Sequence, residues 1–139
     1  MYRAGHVRIY QFLEDSWVQM GKDIDGENES DLFGYSVSID SDGSHVAIGA
    51  PDNDGNGNNA GHARIYEYSN GTWAQVGSDI DGEAAGDEFG YRVAIDSDGS
   101  HIAIGAPEND GNPRACCHRC PQEKSIFPPI FCFMDASRR

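Results

Sequence analysis

The feature that most constrains this chain is a 19-residue stretch that occurs twice. Residues 33–51 (FGYSVSIDSDGSHVAIGAP) return with few changes as residues 89–107, at an offset of 56. The same offset aligns residues 5–56 with residues 61–112, which match at 34 of 52 positions without a gap. A repeat of this kind buries its apolar surface against neighbouring repeats. The chain is therefore predicted to form an array rather than one independent core.

The composition changes abruptly near residue 112. Up to that point there are 5 Lys and Arg against 21 Asp and Glu, whereas residues 113–139 have 5 against 2. All 17 glycines precede the change and all four cysteines follow it. We therefore predict repeats over residues 1–112 and an unrelated, disordered tail over residues 113–139. A frameshift, a splicing error or a recombination junction would explain such a tail.

The acidic balance of the repeats bears on the class of partner. Binding a polyphosphate relies on Lys and Arg, so nucleic acid is excluded as a partner and cations or basic partners are favoured. No apolar run approaches the roughly 18 residues of a membrane span; the run Ile126–Met134 is shorter and contains a Pro-Pro pair. No signal peptide follows Met1, and the chain begins almost inside a repeat, which predicts a fragment of a longer protein.

The residue pattern predicts four short strands in each repeat. The segments 5–11 and 17–20 are rich in β-favouring side chains, and the acid-rich residues 23–30 are predicted to form a loop. In residues 33–40, bulky side chains alternate with Gly, Ser and Asp, which predicts a strand with one bulky face and one small face. A turn at residues 40–43 leads to the return strand at residues 45–48. The small face would let a neighbouring sheet approach closely.

Four short antiparallel strands per repeat are typical of a β-propeller blade. The predicted fold is all-β, a partial β-propeller of about two blade equivalents. One whole blade is expected over about residues 33–88, with a half-blade on either side. Since propellers close with about 4–8 blades, further blades are expected from a longer chain or from self-association of copies.

A family resemblance rests on two short motifs. Phe33-Gly34 followed by Gly49-Ala50-Pro51, and the second copy over residues 89–107, resembles the FG-GAP repeat of integrin α-chain β-propellers and of many secreted or surface proteins. The resemblance covers residues 5–112 and implies an extracellular or cell-surface adhesion or recognition module with a protein or carbohydrate ligand. Such repeats often bind calcium in the hairpin between the two motifs. Here that hairpin, residues 40–45, is too short to supply the roughly 6–8 oxygen ligands of calcium.

The next loop along the chain is the better candidate for calcium. In residues 52–58 (DNDGNGN), oxygen-bearing side chains at alternate positions precede a glycine, as at the start of an EF-hand loop. The predicted ligands are the side chains of Asp52, Asp54 and Asn56 and the carbonyl of Asn58. Ala60 stands at the ninth position and no bidentate Glu follows, so an ordinary solvated loop is the alternative interpretation.

The sequence contains no arrangement that favours catalysis. The acids of residues 23–27 recur at residues 79–83, and the histidines of the repeats recur in the same way, whereas an active site is usually built once. We therefore predict a non-enzymatic, extracellular binding or adhesion module. Two alternatives remain open at this point: the structural or substrate-binding part of a secreted enzyme whose catalytic region is absent, and a truncated gene product without independent function.

Overall fold

The computed structural model describes residues 4–111, and the regular secondary structure in that range consists of β-strands only. The strands are β1 His6–Val7, β2 Tyr10–Leu13, β3 Ser16–Gln19, β4 Ile24–Asp25, β5 Ser36–Ile39, β6 His45–Ala50, β7 His62–Ser69, β8 Thr72–Gln75, β9 Ile80–Asp81, β10 Arg92–Ile95 and β11 Ile102–Gly105. This confirms the prediction of an all-β fold. The tail predicted over residues 113–139 lies outside the described residues.

A five-stranded antiparallel sheet forms the centre of the molecule. Its order is β5-β6-β7-β8, and β9 also pairs with β7. Strand β8 pairs with the C-terminal half of β7, where Tyr66 lies opposite Gln75, and β9 pairs with its N-terminal half, where His62 lies opposite Asp81. Because β8 and β9 lie along the same edge of β7, they act as one interrupted strand. The sheet is therefore a four-strand propeller blade.

Two smaller units flank this central blade and follow the offset of 56 residues. Before it, β1 pairs with β4 and β2 with β3, in the positions that β7, β8 and β9 occupy one repeat later. After it, β10 pairs with β11 in the register of β5 with β6. Residues 4–111 thus contain the last two strands of one blade, one whole blade and the first two strands of a third, as a partial propeller requires.

The strand prediction was wrong in one segment of each repeat. The acid-rich residues 23–30, predicted as a loop, include β4, and their copy includes β9. Val7 lies opposite Ile24, and the Ile24 side chain is only 6% exposed. A two-residue strand among charged residues is set by its partner strand and by burial, which local composition does not reveal.

The two hairpins of the outer strands use different residues for the same turn. Asn70 and Gly71, between β7 and β8, have φ of 52° and 82°, the left-handed angles that a two-residue type I′ turn needs. One repeat earlier, Glu14 and Asp15 adopt φ of 45° and 63°. Neither Glu nor Asp is as tolerant of this region as glycine. The first turn is therefore strained relative to its copy.

The apolar core lies between the first half-blade and the central blade. Phe33 is 4% exposed, and its backbone N–H donates to the Ala4 carbonyl at 3.1 Å, which fixes the FG motif against the preceding unit. One repeat later, Phe89 N–H donates to the Ala60 carbonyl at 3.0 Å. The core is therefore shared between blades, and its buried members are Val7, Ile9, Ile24, Phe33, Val46, Ile48 and Ala50.

The interface between the central blade and β10–β11 is built from small residues. Ser36 Oγ donates to the Gly90 carbonyl at 2.8 Å, and Ser38 Oγ accepts from Ile95 N–H at 3.1 Å. A Cβ atom at Gly49 would overlap the Gly90 carbonyl oxygen and would lie 2.6 Å from Ser36 Oγ. The sheets approach so closely that only glycine fits at this position, which confirms the predicted role of the small face.

Candidate functional site

The loop between β6 and β7 contains the four predicted calcium ligands, and the structure brings two of them together. Asp54 Oδ1 accepts from Asn59 N–H at 2.8 Å and from Asn58 Nδ2 at 3.4 Å. Asp54 and Asn58 are exposed, whereas Asp52 is half-buried at the start of the loop. The Asp54 carboxylate therefore closes the loop on itself.

Two predicted ligand groups, the Asn56 side chain and the Asn58 carbonyl, contact the loop that precedes β10. Asn56 Nδ2 donates to the Gly82 carbonyl at 2.7 Å, and the Asn58 carbonyl accepts from Gly86 N–H at 2.9 Å. A calcium ion at this loop would share the Asn58 carbonyl and the Asp54 carboxylate with these hydrogen bonds. Calcium at Asp52, Asp54, Asn56 and Asn58 stays a prediction.

Asn53, which the sequence analysis did not single out, anchors the same loop. It is 3% exposed, its Nδ2 donates to Asp31 Oδ2 at 2.7 Å, and its Oδ1 accepts from Gly55 N–H at 2.9 Å. One repeat later, Asn109 Nδ2 donates to Asp87 Oδ2 at 2.9 Å. The signal in the sequence was an Asp and an Asn separated by 22 residues in both copies.

The hairpin between FG and GAP, where relatives often bind calcium, is closed by its own side chains. The carboxylate of Asp40 accepts from His45 N–H at 3.1 Å, from His45 Nδ1 at 2.7 Å and from Ser44 Oγ at 3.2 Å. Burial alone would raise the pKa of Asp40, but these hydrogen bonds outweigh it and hold that pKa below its ordinary value. With Asp40 buried and bonded to three donors of its own hairpin, this short turn does not supply the oxygen ligands that a calcium ion needs.

Ser, His and Asp stand together in the copy of this hairpin without forming a catalytic triad. Ser100 Oγ and Asp96 Oδ2 both lie 2.7 Å from Nδ1 of His101. A proton relay needs the hydroxyl and the carboxylate on opposite ring nitrogens. Asp98 joins Asp96 and His101 in a group of potential metal ligands. The Asp96 carboxylate accepts hydrogen bonds from the His101 backbone and ring, and these bonds, the backbone bond first, lower the pKa of Asp96 to about 2.

A second polar cluster lies at the junction of the first half-blade and the central blade. Arg64, 6% exposed, binds Asp79 through Nε at 2.8 Å and through Nη2 at 2.6 Å. Its Nη2 also lies 2.7 Å from Glu27 of the half-blade. The hydrogen bonds from Arg64 lower the pKa of Asp79. The cluster is thus an inter-blade ion pair.

His62 lies in the same cluster and is buried. Its Nδ1 is 4.0 Å from Asp79 Oδ2, and Asp81 is close enough to complete a group of potential metal ligands. His62 is 2% exposed, and within residues 4–111 its Nε2 has no hydrogen-bond partner. Burial, followed by the charge of Arg64, lowers the pKa of His62. The arrangement favours the neutral imidazole, and Asp79 is already neutralised by Arg64.

An open cleft of about 340 Å³ lies between the first half-blade and the central blade. Trp73 forms part of it and is fixed there, because its Nε1 donates to the Met20 carbonyl at 2.7 Å. The lining combines aromatic and charged side chains, namely Lys22, Asp23, Asp25, Tyr66 and Trp73, together with Ile24 and Thr72. Such a surface offers a flat apolar wall with polar groups beside it.

Comparison with known proteins agrees with this architecture. Residues 17–66 and 78–115 match the model of the FG-GAP repeat. No curated protein was found to match the chain. The part of the chain described here has no helix long and apolar enough to span a membrane. FG-GAP repeats generally form non-catalytic, propeller-like modules that are often extracellular. Because the matched residues make up more than half of its length, the chain belongs to the FG-GAP repeat family.

Proposed function

We propose that the chain is a non-catalytic binding module of an extracellular or cell-surface protein. The proposal rests on the observation that the ionisable side chains of the clusters are hydrogen-bonded to one another. Asp40 with His45, Asp96 with His101, and Arg64 with Asp79 are each held by mutual hydrogen bonds. The Asp–His bonds close a hairpin turn that occurs in both copies of the repeat, and Arg64 joins two blades. These clusters therefore support the architecture, whereas an active site is usually built once.

The cleft between the blades is the proposed contact surface for a protein or carbohydrate ligand. Trp73 and Tyr66 supply aromatic area, and Lys22, Asp23 and Asp25 supply charged hydrogen-bonding groups. Aromatic faces beside polar groups suit both the mixed surface of a sugar ring and the side chains of a peptide. Residues 1–112 have 21 Asp and Glu against 5 Lys and Arg, an acidic balance that favours ligands with basic groups.

The test is a binding screen of the 139-residue chain against arrays of glycans and of extracellular proteins. A matched variant, Lys22→Ala with Asp25→Ala, removes two exposed charges from the cleft. We expect ligands that bind the wild-type chain and are lost from the variant, with the melting temperature unchanged. Absence of any reproducible ligand for the wild-type chain would contradict the proposed function, and equal binding by the variant would exclude the cleft.

Calcium binding at Asp52, Asp54, Asn56 and Asn58 is a separate part of the proposal. Its support is the acid- and amide-rich loop, in which Asp54 and Asn58 lie side by side. Calorimetric titration with calcium should show heat and a rise in melting temperature at millimolar calcium that Asp54→Ala abolishes. The control Glu67→Gln removes an exposed charge on β7 and should keep the response. No heat from the wild-type chain would exclude the site.

A further inference from the structure

Two strand edges in the described part of the chain lack the partner that their copies have in the central blade. Strand β11 pairs only with β10, and β1 and β2 pair only with β4 and β3. In the central blade, the equivalent strands β6 and β7 pair with each other, with Ala47 opposite Ile65 and Ala50 opposite His62. By the offset of 56 residues, β11 presents the edge of β6, and β1–β2 presents the edge of β7. The two free edges are therefore complementary in register.

The apolar faces beside these edges are uncovered in a complementary way. Ile24 packs in the core beside the central blade and is only 6% exposed, whereas its copy Ile80 is 38% exposed. The bulky face of β5 is also open, with Val37 and Ile39 exposed at 53% and 47%. One repeat later, the copies of Val37 and Ile39 are half-buried, because β10 lies against β5 and β6. Each uncovered face thus matches a face that is covered elsewhere in the chain.

Trp17 is the most exposed large apolar side chain of this surface, at 70%. Its copy Trp73 packs against the preceding unit and donates from Nε1 to the Met20 carbonyl at 2.7 Å. The position equivalent to Met20 one repeat later is Val76, which is 44% exposed at the opposite end of the array. The Trp17 indole of one copy can therefore donate to the Val76 carbonyl of another copy. The hydrogen bond from Trp73 to Met20 shows the same geometry within the chain.

We propose that copies of this chain associate head to tail, so that β10–β11 of one copy and β1–β4 of the next form one composite blade. Strand β11 would pair with β1–β2 in the register of β6 with β7, which places Ala103 opposite Ile9 of the next copy. The indole of Trp17 would donate to the Val76 carbonyl. Arg8 would pair with Glu83, as Arg64 pairs with Glu27 within the chain.

Head-to-tail contacts of this kind generate a ring if the rotation closes. Residues 4–111 of each copy contribute one whole blade and two complementary half-blades, which amounts to two blades. Propellers close with about 4–8 blades. The closed assembly would therefore contain two, three or four copies.

Two of the residues that differ between the composite interface and the internal one take part in hydrogen bonds across the internal interface. Ser36 and Ser38, which bond to Gly90 and Ile95, are replaced one repeat later by Arg92 and Ala94. The methyl side chain of Ala94 cannot accept the hydrogen bond that the Ser38 hydroxyl accepts. Association between copies is therefore weaker than packing within the chain and depends on protein concentration.

The test is the mass of the reduced full chain in solution, measured by sedimentation velocity from ~1 μM to ~1 mM. We expect discrete species at two, three or four times the chain mass of 15.1 kDa. Gly105→Ala is the discriminating variant. Within the chain its Cβ would meet only Arg92 atoms at 3.8 Å, but in the composite interface it occupies the position of Gly49, where a Cβ overlaps backbone.

Gly105→Ala should therefore keep the circular dichroism and the melting behaviour of the single chain while abolishing association. Trp17→Ala should act in the same direction, and Val18→Ala, which removes an exposed side chain from the opposite face of β3, should not. A wild-type chain that stays monomeric over the whole concentration range would overturn the proposal. So would an oligomer of the wild-type chain that survives both Gly105→Ala and Trp17→Ala.

Discussion

The unit of β1–β4 and its copy β7–β9 have nearly the same sequence but different surroundings. The Arg8 side chain is 47% exposed, whereas that of Arg64 is 7% exposed. Ile24 shows the reverse, because it is buried at 6% whereas Ile80 is 38% exposed. Each unit has one face that meets the preceding blade and one that meets the following blade. The neighbouring blade therefore determines which residues are buried, because equivalent residues of the two units differ in exposure.

Of the substitutions considered, Gly49→Ala and the same change at its copy Gly105 should differ most in their effect on stability. Gly49→Ala should destabilise the chain by about 3 kcal/mol, because its Cβ would overlap the Gly90 carbonyl and crowd Ser36 Oγ. Gly105→Ala, with its nearest neighbours at 3.8 Å, should change the stability by less than ~0.5 kcal/mol. Urea unfolding at a concentration where the chain is a single copy measures both. Equal effects would show that β10 does not pack on the central blade as described.

The two arginines give the next largest difference. Arg64→Ala should cost about 2 kcal/mol, since it leaves Asp79 and Glu27 without their shared cation at a half-buried junction. Arg8→Ala should have a much smaller effect than Arg64→Ala, because the exposed ion pair of Arg8 with Asp23 is screened by water. The same unfolding experiment compares them. A cost for Arg8→Ala as large as that for Arg64→Ala would contradict the difference in burial.

The hairpin turns offer a stabilising change. Replacing Glu14-Asp15 with Asn-Gly, the residues of the second copy, should raise the stability by about 1 kcal/mol, because both positions have positive φ. The reciprocal change of Asn70-Gly71 to Glu-Asp should lower it by a similar amount. Thermal unfolding followed by circular dichroism measures both shifts. A loss of stability on introducing Asn-Gly would mean that the first turn is not a left-handed type I′ turn.

The smallest expected effect is a pH dependence due to His62. Burial lowers the pKa of His62 below its unfolded value of 6.5, so below that pH the unfolded chain binds more protons. Stability from this group is complete above pH 6.5 and falls as the pH drops below it. His62→Gln should flatten the slope of unfolding free energy between pH 6.5 and pH 5, a window in which Asp40 and Asp79, with lowered pKa values, remain ionised. An unchanged slope would assign the dependence to another group.

Much of this architecture could be predicted from the sequence, because the repeat encodes it twice. The strand with one bulky and one small face was readable from the alternation in residues 33–40, and the Asn70-Gly71 turn from its residue types. The FG and GAP motifs indicated the family. Periodicity and turn chemistry are local properties, so a single sequence is enough to reveal them.

The contacts between blades could not be predicted in the same way. Strand β4 lies in a charged segment and exists because it pairs with β1. The buried bond from Asn53 to Asp31 joins two loops 22 residues apart, and Arg64 reaches Glu27 of the preceding unit. These interactions depend on how one sheet lies against the next, which composition and spacing do not specify. Of the predicted calcium ligands, only Asp54 and Asn58 are joined by a side-chain hydrogen bond.

Amide hydrogen exchange tests most directly the claim that neighbouring blades, not the repeat sequence, set the structure of each unit. The segments 46–50 (VAIGA) and 102–106 (IAIGA) have nearly the same intrinsic exchange rate, but β6 is paired on both edges and β11 on one. In single chains, at a concentration where sedimentation detects no association, we predict that residues 46–50 exchange on the order of 100-fold more slowly than residues 102–106. Equal rates in the two segments would contradict the account.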